Sequence, residues 1–261
     1  MYEKLYKIIV VLGISVFSSC SSTKLSTSSS NSFKPLDDKA FVFILTPKET
    51  IPINTVEVGT FKHIDDNHTD WLFLKNKLSK KAKASGANII KIEEYHVADG
   101  RTGGHAAKIL GKFYRNDDMY TVKWFIDSIR KVQSYNNYAF LHLIRNEANG
   151  FLQKAGTATM FLNDSLIGDL ESRATKQIMI AKLGFNTIGY RSNDRNAYQF
   201  NADPGQHYYI QVIDNKPPST TGGLIGVIFN IGVVPKIFIL LDPIEGKIKA
   251  EMLEQENKHQ L

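Results

Sequence analysis

Residues 157–170 read TATMFLNDSLIGDL. Two short runs, Thr157–Leu162 and Ser165–Leu170, alternate apolar and polar residues on either side of Asn163-Asp164. Alternation at period two sends successive side chains to opposite faces of a strand. Asn and Asp tolerate the positive φ that a two-residue hairpin turn requires. The stretch therefore predicts a hairpin. Further short strands lie outward from it: Tyr138–Arg145, Lys176–Ala181, and Asn186–Arg191 beyond Gly184. Ala197–Ala202 and His207–Ile213 flank Asp203-Pro204-Gly205 as a second hairpin, and Lys236–Leu241 is a last apolar strand. Strands of this length and spacing predict an antiparallel β-sandwich over 138–261, with Phe140, Phe161, Ile180 and Ile210 in its core. Pro243–Glu256 opens with Pro and reads as a terminal helix. The apolar, Gly-containing run 217–235 reads as an insertion that packs over the sandwich edge, the alternative being a flexible hydrophobic lid or membrane-touching loop.

The preceding part of the chain has a different rhythm. Ala40–Thr46, AFVFILT, is a continuous apolar run and reads as a buried strand. Thr55–Phe61 alternates and reads as a second strand. From Asp70 to Ser85, Trp71, Leu74, Leu78 and Ala82 recur at helical spacing, with Asp70 placed to cap the start and Gly86 to end the helix. Asn88–Val97 and Ala106–Tyr114 are two strands joined across 98–104. These elements predict a small α/β domain over 38–116. In Asp117–Gln133, Val122, Phe125, Ile126, Ile129 and Val132 share one helical face, which predicts a linking helix within 117–137; a strand reading of MYTVKWFI stays open. The fold class expected is thus α+β, a small α/β domain followed by an antiparallel β-sandwich, with a linking helix and a C-terminal helix.

The first 19 residues are of another kind. Lys4 and Lys7 precede an uncharged apolar run, Ile8–Phe17, and Ser18 and Ser19 precede Cys20. Charge, then apolar run, then small residues is the order of a secretory signal. The run is too short to cross a bilayer as a helix, which takes about 20 residues. Phe17-Ser18-Ser19-Cys20 resembles a lipobox, with Phe17 where that pattern has Leu, Val or Ile. The resemblance implies that residues 1–19 are removed and that Cys20 is the lipidated N-terminus, so that the membrane is a partner through acyl chains. Cys20 is the only cysteine, and no disulfide can form within the chain. The Ser/Thr tract that follows predicts a flexible tether over 20–37. It has no acidic cluster after Cys20, which points to the periplasmic side of an outer membrane.

Without Glu3, Lys4 and Lys7 the chain carries 30 basic and 25 acidic residues, interleaved along its length. Such mild, mixed charge speaks against nucleic acid as a partner. The chain contains no Gly-x-Ser-x-Gly, no phosphate-binding Gly-rich loop with Lys, and no His-Glu-x-x-His. A lipidated Cys20 cannot act as a nucleophile. His63, Asp65, Asp66 and His68 are the one cluster with metal-ligand chemistry, two imidazoles and two carboxylates within six residues. Both histidines read as lying in a polar loop before a helix, where Asp65 and Asp66 serve as turn and cap residues. His96, His105, His142 and His207 are isolated in sequence. No cofactor and no catalytic residue is expected.

Two stretches carry family resemblances. KKAKASGANIIKI, Lys80–Ile92, with the returning strand ILGKFYR, resembles a small α/β domain of bacterial envelope lipoproteins and cytosolic relatives. That family includes the Rcs envelope-stress sensor and members labelled heavy-metal-binding. The sensor has disulfides that this chain cannot form, so its signalling role is not implied. TATMFLNDSLIGDL, LGFNTIGY and ADPGQHYYIQV together resemble a β-sandwich family of bacterial lipoproteins without established activity, and also the PEGA surface modules. The function expected is a lipid-anchored, non-catalytic module that binds or supports another envelope component, either a protein or a cell-wall polymer. The alternative is a metal- or stress-sensing lipoprotein that uses the His63–His68 loop.

Overall fold

The computed structural model describes residues 22–26, 33–97, 107–130, 137–145, 157–192, 194, 197–214 and 236–258. The leader with Cys20, the connection 98–104 and the insertion 217–235 lie outside the described residues. The chain divides into two compact units, one of residues 1–43 and 55–115, the other of 44–54 and 116–261. The helix expected as a linker and the segment 44–54 both fall in the second unit. The class is α+β, with three sheets and three helices among the described residues.

β1 (Ser22–Ser26), β2 (Phe43–Leu45), β3 (Val56–Asp65), β4 (Ile89–Val97) and β5 (Ala107–Arg115) form a sheet in the order β1-β3-β5-β4-β2, all of it in the first unit except Ile44 and Leu45 of β2, where the chain passes into the second. β1 occupies residues 22–26 of the stretch expected as a flexible tether over 20–37. The edge of β3 presents unpaired backbone groups, and a Ser/Thr tract meets them with its own backbone, whatever its side chains. The apolar run Ala40–Thr46 is a strand only over Phe43–Leu45. Phe41 is 67% exposed, and the Ala40 N–H closes a turn onto Asp37 instead of joining the sheet. Helix α1 (Trp71–Ala84) follows β3. The Asp70 carboxylate accepts from the Phe73 N–H at 2.8 Å, and the buried stripe is Trp71, Leu74, Leu78 and Ala82. Trp71 stands edge-on to Tyr95 of β4 at 5.6 Å. Gly86 ends the helix at φ +79, where a Cβ would also lie 2.6 Å from the Phe33 side chain.

In the second unit, α2 (Met119–Arg130) is capped by Asp118, whose carboxylate accepts from the Thr121 N–H at 3.0 Å, and it buries Val122 and Ile126. The strand reading of MYTVKWFI is thereby excluded. Eight strands follow: β6 (Ala139–Arg145), β7 (Ala158–Leu162), β8 (Ser165–Leu170), β9 (Ala174–Ile180), β10 (Gly184–Gly189), β11 (Tyr198–Ala202), β12 (His207–Asp214) and β13 (Lys236–Leu240). They form two four-stranded sheets, β11-β10-β7-β8 and β13-β12-β6-β9. The hairpin at 157–170 is present, with Asn163 and Asp164 at φ +48 and +64.

Two expectations need correction. The strands on either side of Asp203-Pro204-Gly205 are not a hairpin: β11 pairs with β10, whereas β12 crosses to the other sheet and runs parallel to β6. The Gly205 N–H donates to the Tyr138 carbonyl at 2.7 Å, so the turn delivers the chain to β6 and not back onto β11. The phase of two strands also differs from that expected. Leu141 and Met160 are fully buried, and their neighbours Phe140 and Phe161 are only half-buried. Ala139, Leu141 and Leu143 of β6 join Ala158 and Met160 of β7, Ile188 of β10 and Ile210 and Val212 of β12 in one apolar cluster.

Helix α3 (Pro243–Lys258) starts from Asp242, whose carboxylate accepts from the Ile244 N–H at 2.9 Å. It lies against β6, β9 and β12. Gly246 allows this approach, because a Cβ there would sit 2.1 Å from the Tyr209 Cβ. An added methyl in so tight a contact forces the helix or the ring to move, at a cost of about 1–3 kcal/mol. That outweighs the gain of about 1 kcal/mol from Ala over Gly inside a helix. Gly246→Ala should therefore lower the midpoint of urea unfolding. A midpoint raised by the substitution would show that the helix does not need this close approach.

Candidate functional site

The His63–His68 segment is built differently from the loop expected. β3 continues to Asp65, and its alternation points Phe61, His63 and Asp65 inward while Lys62 faces solvent. His63 and Asp65 are thus fully buried, and only Asp66 and His68 belong to the turn. Asp65 is the hub. One carboxylate oxygen accepts from the Asn67 N–H at 3.1 Å, the His68 N–H at 3.0 Å and the His68 Nδ1 at 2.9 Å. The other accepts from the Lys77 ammonium at 3.3 Å, with His63 Nε2 at 3.9 Å. Burial raises the Asp65 pKa, but the hydrogen bonds from His68, Asn67 and Lys77 outweigh it and bring it to about 2. Burial, and then the nearby Lys77 charge, push the His63 pKa down, with Asp65 opposing. The His68 ring stacks on Phe73 at 4.0 Å, and the Lys77 ammonium stands 5.4 Å from the centre of that ring. The structure thus brings His63, Asp65 and His68 together as a lock between β3 and α1, and leaves Asp66 on the exposed side of the turn. Among the described residues no group of three or more His, Cys, Asp or Glu is arranged to hold a metal ion. Cys20 lies outside the described residues.

A second cluster joins histidines that are 65 residues apart. The parallel pairing of β6 with β12 sets His142 opposite Tyr209 and Phe140 opposite His207. The His142 Nε2 and His207 Nδ1 atoms are 2.7 Å apart, and the rings stack at 5.0 Å. The His142 ring also stacks on Tyr209 at 4.4 Å. One nitrogen must donate and the other accept, which two neutral imidazoles can do. Burial, the neighbouring His207 and Lys247 bring His142 down to about 4, against Glu254; burial and Lys247 lower His207 as well. With so low a pKa, His142 is a poor proton acceptor near neutral pH. Sequence reasoning missed the pair. The alternation in both strands puts each histidine on the face away from the main cluster, but only the parallel crossover makes them neighbours.

Beside it lies a network around Glu49, whose side chain is only 4% exposed. Arg130 grips both carboxylate oxygens, Nε at 3.0 Å and NH2 at 2.9 Å. Lys247 of α3 donates at 2.8 Å and the Thr46 N–H at 2.9 Å. Glu251 accepts from the Thr46 hydroxyl at 2.9 Å and the Lys48 N–H at 2.8 Å. Burial opposes ionisation of Glu49, but Arg130, then Lys247, hold its pKa at about 2. The geometry is that of a structural clamp, with each oxygen directed at a partner of the same unit.

No protein-family model matches the chain, and no curated protein or solved structure matches it significantly.

These groups fix how stability responds to acid. A carboxyl whose folded pKa is depressed stabilises the fold above its unfolded value, and that contribution is lost as pH falls towards the folded value. For Glu49 the window runs from 4.5 down to about 2. An imidazole kept neutral by the fold loses stability as the unfolded chain takes up a proton. For His142 that window runs from 6.5 down to about 4. Stability should therefore fall in two acid steps. His142→Gln should flatten the upper one. Glu49→Gln should cost about 3 kcal/mol at neutral pH, with the penalty shrinking in the lower window. Urea unfolding at a series of pH values reads both; an unchanged upper step in His142→Gln would remove the histidine pair as its source.

Metal binding follows from the same geometry. Asp65 is already saturated with donors, and His63 cannot turn out of its strand without unpacking it. Calorimetric titration with Zn²⁺ should give no site tighter than about micromolar. A tighter site abolished by His63→Ala would restore the metal reading of this segment.

Proposed function

We propose that the chain is a lipid-anchored protein of the bacterial cell envelope, held through acyl chains on Cys20, and that its two units bind or support another envelope component without catalysis. The observation that carries this reading is the order Lys4/Lys7, Ile8–Phe17, Ser18-Ser19-Cys20, together with the use of the chain's single cysteine at that position. No helix among the described residues is long and apolar enough to cross a membrane, so the anchor has no rival helical span there. The periplasmic face of an outer membrane is the location proposed, from the absence of acidic residues directly after Cys20. The two resemblances, to the small α/β domain of envelope lipoproteins and to the PEGA-like β-sandwich family, support the same setting. The sandwich itself is part of the proposal. Its support is the apolar cluster that draws residues from both four-stranded sheets of the second unit, one strand pair of which is parallel.

A binding role is favoured over an enzymatic one because the buried carboxylate clusters around Asp65 and Glu49 are closed on themselves. Asp65 and Glu49 meet donors from their own units and hold low pKa values. A catalytic carboxylate or imidazole needs an open direction towards substrate and a pKa near the working pH. The metal-sensing alternative loses support from the burial of His63 and the saturation of Asp65.

In membrane fractionation with a fatty-acid probe, the natural chain should label and sediment with membranes. Cys20→Ala should lose the label, appear in the soluble fraction and retain residues 1–19. Persistent labelling of Cys20→Ala would refute the anchor.

A further inference from the structure

The exposed face of the first unit's sheet carries five lysines on four strands: Lys24 of β1, Lys62 of β3, Lys91 of β4, and Lys108 and Lys112 of β5. Direct cross-strand register sets Lys24 against Lys62 and Lys112 against Lys91. Like charges placed opposite one another destabilise a sheet, so such pairs call for neutralisation. Lys112 donates to Glu57 at 3.1 Å and Lys108 to Glu94 at 3.1 Å, and Lys91 is engaged as well. Lys24 and Lys62 are both exposed, and neither has an acidic partner within salt-bridge distance among the described residues. Between them lies an open depression of about 340 Å³, lined also by Ser26, Thr60, Phe61, Leu110, Gly111 and one carboxylate, Glu93. Glu93 lies close enough to Lys112 and Tyr114 to act on both electrostatically, so its charge is shared with β5.

The position of this face along the chain decides its partner. β1 starts at Ser22, two residues after Cys20. Two residues reach at most about 7 Å and four at most about 14 Å. If Cys20 is acylated its backbone sits at the bilayer surface, and Lys24 stands within the reach of the headgroups. Fixed charges interact there within a Debye length of about 8–10 Å. So short a connection also makes the encounter of face and surface intramolecular, at high effective concentration. A tether through residue 37 would have lost this advantage.

We propose that the Lys24–Lys62 face docks on the anionic phospholipid headgroups of the membrane that holds Cys20, with lipid phosphates seated between the two ammonium groups and within reach of the Ser26 and Thr60 hydroxyls. The inference rests on the anchored reading of Cys20 for its geometry, but the surface can be tested apart from the anchor. Docking would hold the first unit flat on the bilayer and neutralise the Lys24–Lys62 repulsion, since neither ammonium has a carboxylate within salt-bridge distance among the described residues.

The test uses the full chain without residues 1–19 and with Cys20→Ser, which leaves no acyl group. Co-sedimentation is measured with vesicles of phosphatidylcholine alone and of phosphatidylcholine mixed with phosphatidylglycerol. The chain should bind the mixed vesicles and not the neutral ones, and added salt should release it. Lys24→Glu with Lys62→Glu should weaken binding by at least about tenfold, since each lysine near an anionic surface contributes about that order. Lys24→Gln with Lys62→Gln, which adds no negative charge, should weaken it in the same sense should the reversal disturb β1. Reversal of Lys80 and Lys81 on α1 should leave binding unchanged. Equal binding to both vesicles, no effect of either Lys24/Lys62 pair, or an equal effect of the α1 pair would each overturn the proposal. So would saturation by inorganic phosphate without any vesicle binding, which would make the depression a phosphate site. Acylation is scored separately, from the mass of the natural mature chain. An unmodified Cys20 with intact vesicle binding would defeat the anchor and leave the surface standing; acylation without vesicle specificity would do the reverse.

Discussion

A carboxylate removed from water must find cations, and in the second unit Glu49 finds two. Its side chain sits on the segment 44–54, Arg130 at the end of α2 and Lys247 on α3. These three pieces are 81 and 198 residues apart from Glu49 in sequence. An unpaired buried charge costs several kcal/mol, so loss of any one partner is felt by all. The clamp thereby ties α2 and α3 to the segment 44–54. It also explains why the helix expected to link two domains belongs to the second unit: Arg130 at its end is committed there. Glu251 repeats the device one turn further along α3, by receiving the Thr46 hydroxyl and the Lys48 N–H.

The first unit has a smaller version of the same constraint. Asp65 ends β3 pointing inward, and the turn behind it supplies two backbone N–H groups and the His68 ring, while α1 supplies Lys77. The direction in which α1 leaves the strand is set by where those donors can converge. Sheet geometry adds a second restriction at Gly111 of β5, where a Cβ would meet the Lys91 carbonyl at 2.1 Å. The pairing of β4 and β5 shifts register between Ile92 and Glu94, close to that point. Glycine there is a consequence of the irregular pairing, since any side chain would press on the neighbouring backbone.

Elements governed by local chemistry were legible in the sequence. Asp70 and Gly86 bracket α1 within a residue of the expected bounds, and Asn163-Asp164 marks its hairpin, because capping and turn residues act on their immediate neighbours. What depends on partners distant in sequence was not. Asp203-Pro204-Gly205 announces a turn, but nothing in it says whether the next strand returns to β11 or crosses to β6. The phase of β6 and β7 was misjudged because Phe140 and Phe161 are the bulkiest residues, whereas the buried face belongs to Leu141 and Met160. His63 looked like part of a loop because polar residues at a strand end resemble a turn. Its burial depends on Asp65 and Lys77, which satisfy one another only in three dimensions. The Ser/Thr tract is the converse case: its side chains signal flexibility, and its pairing comes from the backbone edge that β3 offers.

The difference between a buried cluster that holds a fold and one that does chemistry lies in where its valences point. In the Asp65 lock the charged oxygens are turned towards donors of the same unit, and so are those of Glu49 in its clamp. In the histidine pair one nitrogen of each ring, His142 Nε2 and His207 Nδ1, is bonded to the other ring. The hydrogen bonds and ion pairs that engage Asp65 and Glu49 also favour their ionised forms, against the cost of burial. On the exposed face of the first unit's sheet, Lys24 and Lys62 stand opposite one another across the β1–β3 ladder, and neither has a salt-bridge partner among the described residues. A fold that neutralises Lys108 and Lys112 on the same sheet but not this pair leaves an anion to be supplied from elsewhere. On the proposed anchoring at Cys20, two residues before β1, a lipid surface is the nearest source of one.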